Sequence, residues 1–86
     1  MKSLIKNYVN KLTKDKLNKF MKKKDIYLND DELNYILNLI KNNIDDILKN
    51  DQKYLTEAKN NISTTNYDKL YKLYIYYKNQ YKGYLF

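Results

Sequence analysis

The chain has 86 residues and a formal net charge of +7, and it contains no cysteine, histidine, tryptophan or proline. A chain of this length can form only one small hydrophobic core, so we expect a single domain over residues 1–86. Because cysteine and histidine are missing and Gly83 is the single glycine, we expect a non-enzymatic protein that forms no disulfide and holds no cofactor.

Two short helices are predicted for the first quarter of the chain. Apolar residues at steps of three and four predict an amphipathic helix over residues 3–12; they are Leu4, Ile5, Tyr8, Val9 and Leu12. Thr13 suits the N-cap of a second helix, with an inward face of Leu17, Phe20 and Met21 and an outward face of Lys14, Lys16, Lys19, Lys22 and Lys23. One continuous helix is the alternative, since threonine is tolerated inside helices.

A connector and a clearly marked central helix follow. Residues 25–28 are expected to form an extended connector whose apolar side chains fill the gap before the helix. Asn29 can cap the helix, and Glu32 lies three residues later, as in a capping box. The next apolar residues fall on one helix face, which we predict to be the buried spine of the fold: Leu33, Ile36, Leu37, Ile40, Ile44, Ile47 and Leu48.

Two interpretations remain open after residue 41. The helix can end at Asn42 and Asn43, with Asn43 in the left-handed conformation that asparagine tolerates. Alternatively, the helical period continues to Ile62 as one long helix. We favour a break within residues 42–46 and a further helix over about residues 51–61 with Asp51 as its N-cap, because one long helix would leave few segments to pack against it.

The C-terminal quarter is predicted to be a loop followed by a tyrosine-rich helix. Residues 63–66 are typical of a loop, and Thr65, three residues before Asp68, is the expected N-cap. One side of this helix then carries Tyr67, Leu70, Tyr71, Tyr74, Tyr77 and Tyr81, with Leu73 and Tyr84 beside them. A β-hairpin is the alternative because residues 70–77 favour strands, but they do not alternate cleanly, which favours the helix.

Charge is distributed in three blocks along the chain. Residues 1–24 carry nine lysines and one acid, a net +8; residues 25–68 carry a net −5; residues 69–86 carry a net +4. This order would help both basic ends fold against the acidic middle. The excess of Lys, Asn, Ile and Tyr is also what an A/T-biased genome produces, so the net charge alone is weak support for an anionic partner.

Two segments have the composition of a nucleic-acid-binding surface. Residues 67–84 hold seven of the eleven tyrosines, interleaved with lysines, as in proteins that bind single strands. Lysines within residues 11–24 could contact phosphates or an anionic membrane surface, although the lack of arginine argues against sequence-specific reading. The more ordinary interpretation is that the rings pack in the core and the lysines are solvated. The candidate nucleic-acid or partner contacts are Lys16, Lys19, Lys23, Lys72, Lys78, Tyr74 and Tyr81.

No other motif predicts a metal site or a membrane span. Residues 25–30 fail the calcium-loop pattern, because Tyr27 occupies the third position and the sixth is not glycine. No run approaches the roughly 20 apolar residues of a membrane span. Lysines and asparagines also interrupt the N-terminal apolar residues, unlike in a signal peptide, so we expect a cytoplasmic protein.

Two stretches carry a resemblance to a known group of proteins. Residues 12–17 read Leu-Thr-Lys-Asp-Lys-Leu, and residues 26–33 read Ile-Tyr-Leu-Asn-Asp-Asp-Glu-Leu. Their order resembles a family of short helical Bacilli proteins without an assigned activity, in which a Leu-Thr helix start precedes a second, polar-capped helix. The tyrosine-rich tail and the lack of arginine depart from that family. The resemblance implies an all-helical fold in the bacterial cytoplasm and adds no site residues.

The sequence therefore predicts an all-α fold, with a single small domain of four to five short helices packed around a central amphipathic helix. We expect a non-enzymatic interaction domain or accessory protein with a protein partner or a homodimeric state, because a partner would add burial to a thin core. The alternative is a sequence-nonspecific nucleic-acid binder that uses the lysine-rich helix of residues 14–24 and the C-terminal helix. Lysines that share one face with exposed tyrosines would favour the binder; lysines that neutralise the acidic middle would favour the interaction domain.

Overall fold

The computed structural model describes the backbone of residues 2–80 and the side chains of residues 6–47 and 49–80. Within these residues the helices are α1 (Lys2–Lys11), α2 (Lys14–Lys23), α3 (Asp30–Lys49), α4 (Asp51–Asn61) and α5 (Thr64–Gln80). This part of the chain contains no strand, so the predicted all-α class is confirmed and the hairpin alternative is wrong for α5. Residues 81–86, which include the candidate contact Tyr81 and the predicted helix residue Tyr84, lie outside the described residues.

Thr13 separates α1 from α2. Its backbone is extended, with φ −116° and ψ 165°, and its Oγ1 accepts the N–H of Lys16 at 3.2 Å. The predicted N-cap is therefore confirmed, and a continuous helix is wrong. Lys41 of α3 fixes the end of α1, because its Nζ donates to the carbonyl oxygen of Leu12 at 2.9 Å. Tyr8, predicted on the apolar face of α1, is 63% exposed, and the side chains of residues 4 and 5 lie outside the described set.

The end of α2 explains how the connector enters the core. Asp25 has φ 62°, its N–H donates to Lys22 O at 3.0 Å, and the N–H of Ile26 donates to Met21 O at 2.9 Å. These bonds form a Schellman motif, which directs the following apolar residue back onto the helix. Ile26 is accordingly 1% exposed. The connector fills the gap as predicted through Ile26 and the half-buried Leu28, but Tyr27 is 61% exposed and does not take part.

The central helix α3 begins with the predicted capping box. Asn29 Oδ1 accepts the N–H of Glu32 at 2.8 Å, and Glu32 Oε1 accepts the N–H of Asn29 at 3.0 Å. Leu33 and Ile36 are buried. The rest of the predicted stripe is half-buried at Leu37, Ile40, Ile44 and Ile47, and the side chain of Leu48 lies outside the described set.

Helix α3 kinks at Asn43, within the predicted break at residues 42–46, and continues beyond the kink to Lys49. Asn43 has φ −132° and ψ 16°, so the predicted left-handed conformation is wrong. Its Nδ2 donates to the carbonyl oxygen of Leu39 at 3.1 Å, which gives a carbonyl next to the kink a partner. The helical path is interrupted at Asn50, and α4 then spans the predicted residues. Asn50, not Asp51, is its N-cap, so the prediction of Asp51 as a cap is wrong.

The core lies where α2, α3 and α4 meet. Helices α1, α2 and α4 pack against α3, and α5 packs on α4. The buried cluster consists of Leu12, Leu17, Met21, Ile26, Leu33, Ile36, Ala58 and Ile62. Helix α5 starts at Thr64, two residues earlier than a Thr65 cap would allow, and Ser63 Oγ accepts the N–H of Asn66 at 3.3 Å. The predicted Thr65 cap is wrong.

Candidate interaction site around helix α5

Lysines from both basic ends of the chain pair with acids of its middle. Besides Lys53–Asp46, which joins α4 to α3 within the middle, the pairs between different elements are Lys6–Asp45, Lys14–Asp30, Lys69–Asp25 and Lys78–Asp51. In each of them the lysine belongs to residues 1–24 or 69–86 and the acid to residues 25–68. The predicted match between the charge blocks therefore occurs across helices. Most of these groups are exposed, so each such pair adds no more than about 1 kcal/mol.

Asp51 anchors the C-terminal part of α5 on α4. Its Oδ2 accepts Lys78 Nζ at 2.6 Å and Tyr74 Oη at 2.9 Å, and its side chain is 15% exposed. The bond from Lys78, with that from Tyr74, lowers the pKa of Asp51 in spite of its burial. Burial and the Asp51 carboxylate raise the pKa of Tyr74. Tyr74 and Lys78, two of the predicted nucleic-acid contacts, thus lie together, but both donate to a carboxylate.

Glu32 anchors the start of α5. Besides its capping bond, its Oε2 accepts the N–H of Ser63 at 2.7 Å and its Oε1 accepts Asn66 Nδ2 at 3.0 Å. The residue is 6% exposed. Burial raises the pKa of this carboxyl, but the bonds from Ser63, Asn29 and Asn66 together outweigh it, and the net pKa is lowered. Helix α5 is therefore held by a carboxylate near each of its ends.

An apolar cavity of about 310 Å³ lies between α5 and the helices beneath it. Its walls come from α2, α3, α4 and α5, and its lining side chains include Leu39, Leu55, Ala58, Leu70 and Leu73. We call it the α5 cavity. Among its described lining residues, Asp51 is the one that carries a charge. Helix α5 buries no residue completely, and its inner side chains reach into this space half-buried.

A second apolar depression, of about 430 Å³, lies beside α1, α2 and α5. We call it the α1–α2–α5 groove and define it by Tyr8, Val9, Leu12, Leu17, Phe20, Met21, Ile40 and Tyr77. Val9, Leu12 and Leu17 are buried, whereas the ring of Tyr8 is largely exposed. The Tyr77 ring lies 6.4 Å from Phe20, and Tyr76, 60% exposed, contacts it edge-on at 5.3 Å. The groove is therefore continuous with an exposed aromatic surface.

The other predicted contact residues that the structure describes are exposed and differ in their surroundings. Lys19 pairs with Asp15 of the same helix at 3.1 Å, and Lys16 Nζ donates to the carbonyl oxygen of Lys11 at 3.5 Å. Lys23 on α2 and Lys72 on α5 are exposed, and Tyr81 lies outside the described residues. Beside the groove, Lys24 Nζ lies 5.7 Å from the Tyr77 ring and 5.8 Å from the Phe20 ring, within cation–π range.

Known proteins provide no functional assignment for this chain. Comparison with protein-family models, curated proteins and solved structures found no significant match to this chain. The resemblance to the Bacilli family stays a prediction. None of the described helices is both long and apolar enough to cross a membrane. The described side chains also include no cluster of three or more acids that could hold a metal ion.

The anchoring roles of Glu32 and Asp51 and the two apolar sites were not predicted from the sequence. Both carboxylates have a sequence context that suits helix capping, and their partners on α5 lie 23 to 34 residues away. The alternation of charge indicated that the ends contact the middle but did not specify the pairs. No sequence pattern indicated the groove, because its residues come from α1, the turn after it, α2, α3 and α5. They become neighbours only on folding.

Proposed function

We propose that the protein is a small non-enzymatic interaction domain of the bacterial cytoplasm. In this proposal the α1–α2–α5 groove binds an acidic, amphipathic helix of a partner protein. The observation that carries the proposal is the groove itself, an apolar depression of about 430 Å³ bordered by the exposed ring of Tyr8. Exposed aromatic rings around an apolar floor are typical anchors of helix-in-groove interfaces.

The charge around the groove supports an acidic partner. Residues 1–24, which supply most of the lining, carry a net +8, and Lys24 lies directly over the rings of Phe20 and Tyr77. Lys11 and Lys16 are exposed on the same two helices. Because two copies of this surface would repel each other, charge complementarity favours a partner with acidic flanks over a homodimer.

The contacts of α5 support an interaction domain over a nucleic-acid binder. Tyr74 and Lys78, which the nucleic-acid alternative requires, both donate to Asp51. Lys14 likewise pairs with Asp30. A phosphate backbone would have to displace these carboxylates before it could use the cations, and the favourable release of counterions would be offset accordingly.

Peptide binding tests this proposal. The probe is a labelled amphipathic peptide with leucines at steps of three and four and glutamates on its opposite face, measured by fluorescence anisotropy. We expect a Kd on the order of 10 μM, and at least about tenfold weaker binding for Tyr8→Ala, because Tyr8 is the exposed anchor. Tyr27→Ala is the matched control, since Tyr27 is equally exposed but lies outside the groove. It should bind like the wild type.

Three outcomes would overturn the proposal. The first is no binding of the acidic peptide, or equally strong binding of a peptide with lysines in place of the glutamates. The second is binding of a labelled single strand that weakens steeply between about 50 and 200 mM salt and is unchanged in Tyr8→Ala, which would support the nucleic-acid alternative. The third is a concentration-dependent dimer that Tyr8→Ala abolishes, which would make a second copy the occupant of the groove.

A further inference from the structure

We infer that the α5 cavity is a binding site for a neutral small molecule with an alkyl body and at most a hydroxyl group at one end. This site adjoins the partner-binding groove proposed above, because Phe20, Met21, Ile40 and Tyr77 line both. Leu55, Ala58, Leu70 and Leu73 line the cavity but not the groove, and Tyr8 lines the groove but not the cavity. Substitutions at these unshared residues therefore distinguish ligand binding in the cavity from partner binding in the groove.

The size and shape of the cavity favour a small molecule. Its volume of about 310 Å³ lies at the lower end of the range of small-molecule pockets, about 300–1,000 Å³. Side chains from four helices surround it, so it is concave and not a flat helix face. A partner helix is about 10 Å wide with its side chains and would need α5 to move away from its carboxylate anchors. A molecule with an alkyl body needs no such movement.

The anchors of α5 explain why the core does not close over this space. Ser63 and Asn66 are fixed on Glu32, and Tyr74 and Lys78 are fixed on Asp51. Between these anchors α5 presents half-buried leucine and tyrosine side chains but no fully buried one. An empty apolar cavity lowers stability in proportion to its volume, because the atoms lining it lose their contacts. An apolar ligand restores those contacts, which is the driving force for its binding.

The charge of the lining selects a neutral ligand. Asp51 is the charged residue of the described lining, and Lys78 already pairs with it at 2.6 Å. A cationic head group would have to displace Lys78, and an anionic one would meet the Asp51 carboxylate in apolar surroundings. A hydroxyl group can instead join the hydrogen bond between Tyr74 and Asp51 without adding charge.

Dye displacement on the purified chain tests this inference. The probe is N-phenyl-1-naphthylamine, whose fluorescence rises in apolar surroundings, and the competitors are 1-decanol and decanoate at neutral pH. We expect one dye per chain and displacement by decanol, with decanoate at least about tenfold weaker because its charge would be buried without a partner. Leu55→Trp places a larger side chain in the cavity and should weaken dye binding at least about tenfold. Tyr8→Ala, in the groove, should bind the dye like the wild type.

Ala58→Met provides a second way to fill the cavity if Leu55→Trp does not retain the helical circular dichroism of the wild type. It should also weaken dye binding. The inference is overturned if the wild type shows no saturable binding, or if decanoate competes as well as decanol. It is also overturned if the folded cavity variant keeps wild-type affinity, or if Tyr8→Ala loses it. One dye per two chains, with a dimer in sedimentation, would also overturn it, because a second copy would then cover the cavity. None of these results changes the prediction for the acidic peptide.

Discussion

Helices α3 and α5 both follow a helical apolar pattern, yet they are held in place differently. Helix α3 begins with a reciprocal capping box and buries Leu33 and Ile36 in the core. Helix α5 buries no residue completely, and carboxylates of α3 and α4 hold its ends. Aliphatic side chains can close on one another, whereas a tyrosine ring must keep its hydroxyl paired or wet. Helical spacing therefore places a helix on the core, but residue type determines whether the interface closes.

The largest difference between the two regions is expected from core truncation. Ile26, 1% exposed, lies in the connector and belongs to the buried cluster that includes Leu33 and Ile36 of α3. Ile26→Ala should lower the free energy of unfolding by about 2–5 kcal/mol. Leu70→Ala on α5 should cost less than about 2 kcal/mol, because Leu70 is half-buried beside an existing cavity. Urea denaturation followed by circular dichroism measures both. Equal losses would mean that α5 is packed as tightly as the core.

The next largest effect is expected at the carboxylate that anchors the start of α5. Glu32→Gln keeps the shape of the side chain but replaces one accepting oxygen with an NH₂ group, which cannot accept from Ser63 or Asn66. We expect a loss of about 1–3 kcal/mol in the free energy of unfolding. Asp51→Asn should cost about 1 kcal/mol or less, because Lys78 is a third exposed and water screens the pair. An unchanged free energy of unfolding in Glu32→Gln would refute the anchoring role of this carboxylate.

Acid should weaken the anchors of α5 before it affects the apolar core. The pKa values of Glu32 and Asp51 are lowered in the folded chain, so their contribution is present above their unfolded pKa values and is lost as pH falls through the folded ones. Stability should therefore be nearly constant from about pH 7 to pH 5 and decline below about pH 4.5. Urea midpoints across this range measure the decline, which should be shallower in Glu32→Gln. Identical pH profiles of the wild type and Glu32→Gln would contradict the assignment of the acid-dependent stability to Glu32.

At alkaline pH we expect a loss of stability that comes from Tyr54, which is buried. The hydrogen bond to Asp46, together with burial, raises the pKa of Tyr54 to about 12. Its contribution is therefore complete below the unfolded pKa and is lost as pH rises from about 10 towards 12. Absorbance at the tyrosinate band, followed during alkaline titration, should show Tyr54→Phe losing one late-titrating ring. Loss of an early-titrating ring in that variant would contradict this expectation.

The smallest effects on the free energy of unfolding are expected from substitutions at the caps of α2 and α5. Thr13→Ala removes the acceptor of the Lys16 N–H, and Ser63→Ala removes the acceptor of the Asn66 N–H. Each should lower the free energy of unfolding by about 1 kcal/mol. Ser63→Ala should also speed amide exchange in α5 without affecting α2, because α5 opens separately. A uniform increase in exchange along the chain in Ser63→Ala would mean that the helices open together.

The parts of the fold that local patterns encode could be predicted from the sequence. The capping box of Asn29 and Glu32 and the cap at Thr13 depend on residues three apart, and both were predicted correctly. The extent of α4 was also predicted, although its cap was not. Among several adjacent candidates, such as Ser63 and Thr65, only the backbone geometry of the folded chain determines which hydroxyl accepts the bond.

The candidate site could not be predicted, because its contacts are long-range. Asp51 meets Tyr74 and Lys78, 23 and 27 residues later, only after α4 and α5 have packed. The kink at Asn43 lies within residues 42–46, where a break was predicted, and the helix continues beyond it to Lys49. The charge blocks were informative at this level, since they indicated which segments would meet without specifying the partners.

Native-state hydrogen exchange tests the central claim most directly, namely that α3 is closed by burial while α5 is held by its carboxylate anchors. The measurement compares the opening free energies of amides in the middle of each helix, such as those of Leu37 and Leu73. We predict that the α5 amide opens at least about 2 kcal/mol more easily than the α3 amide, through an opening that leaves α3 protected. Equal opening free energies at the two positions would show that the molecule opens as one unit and would contradict the account.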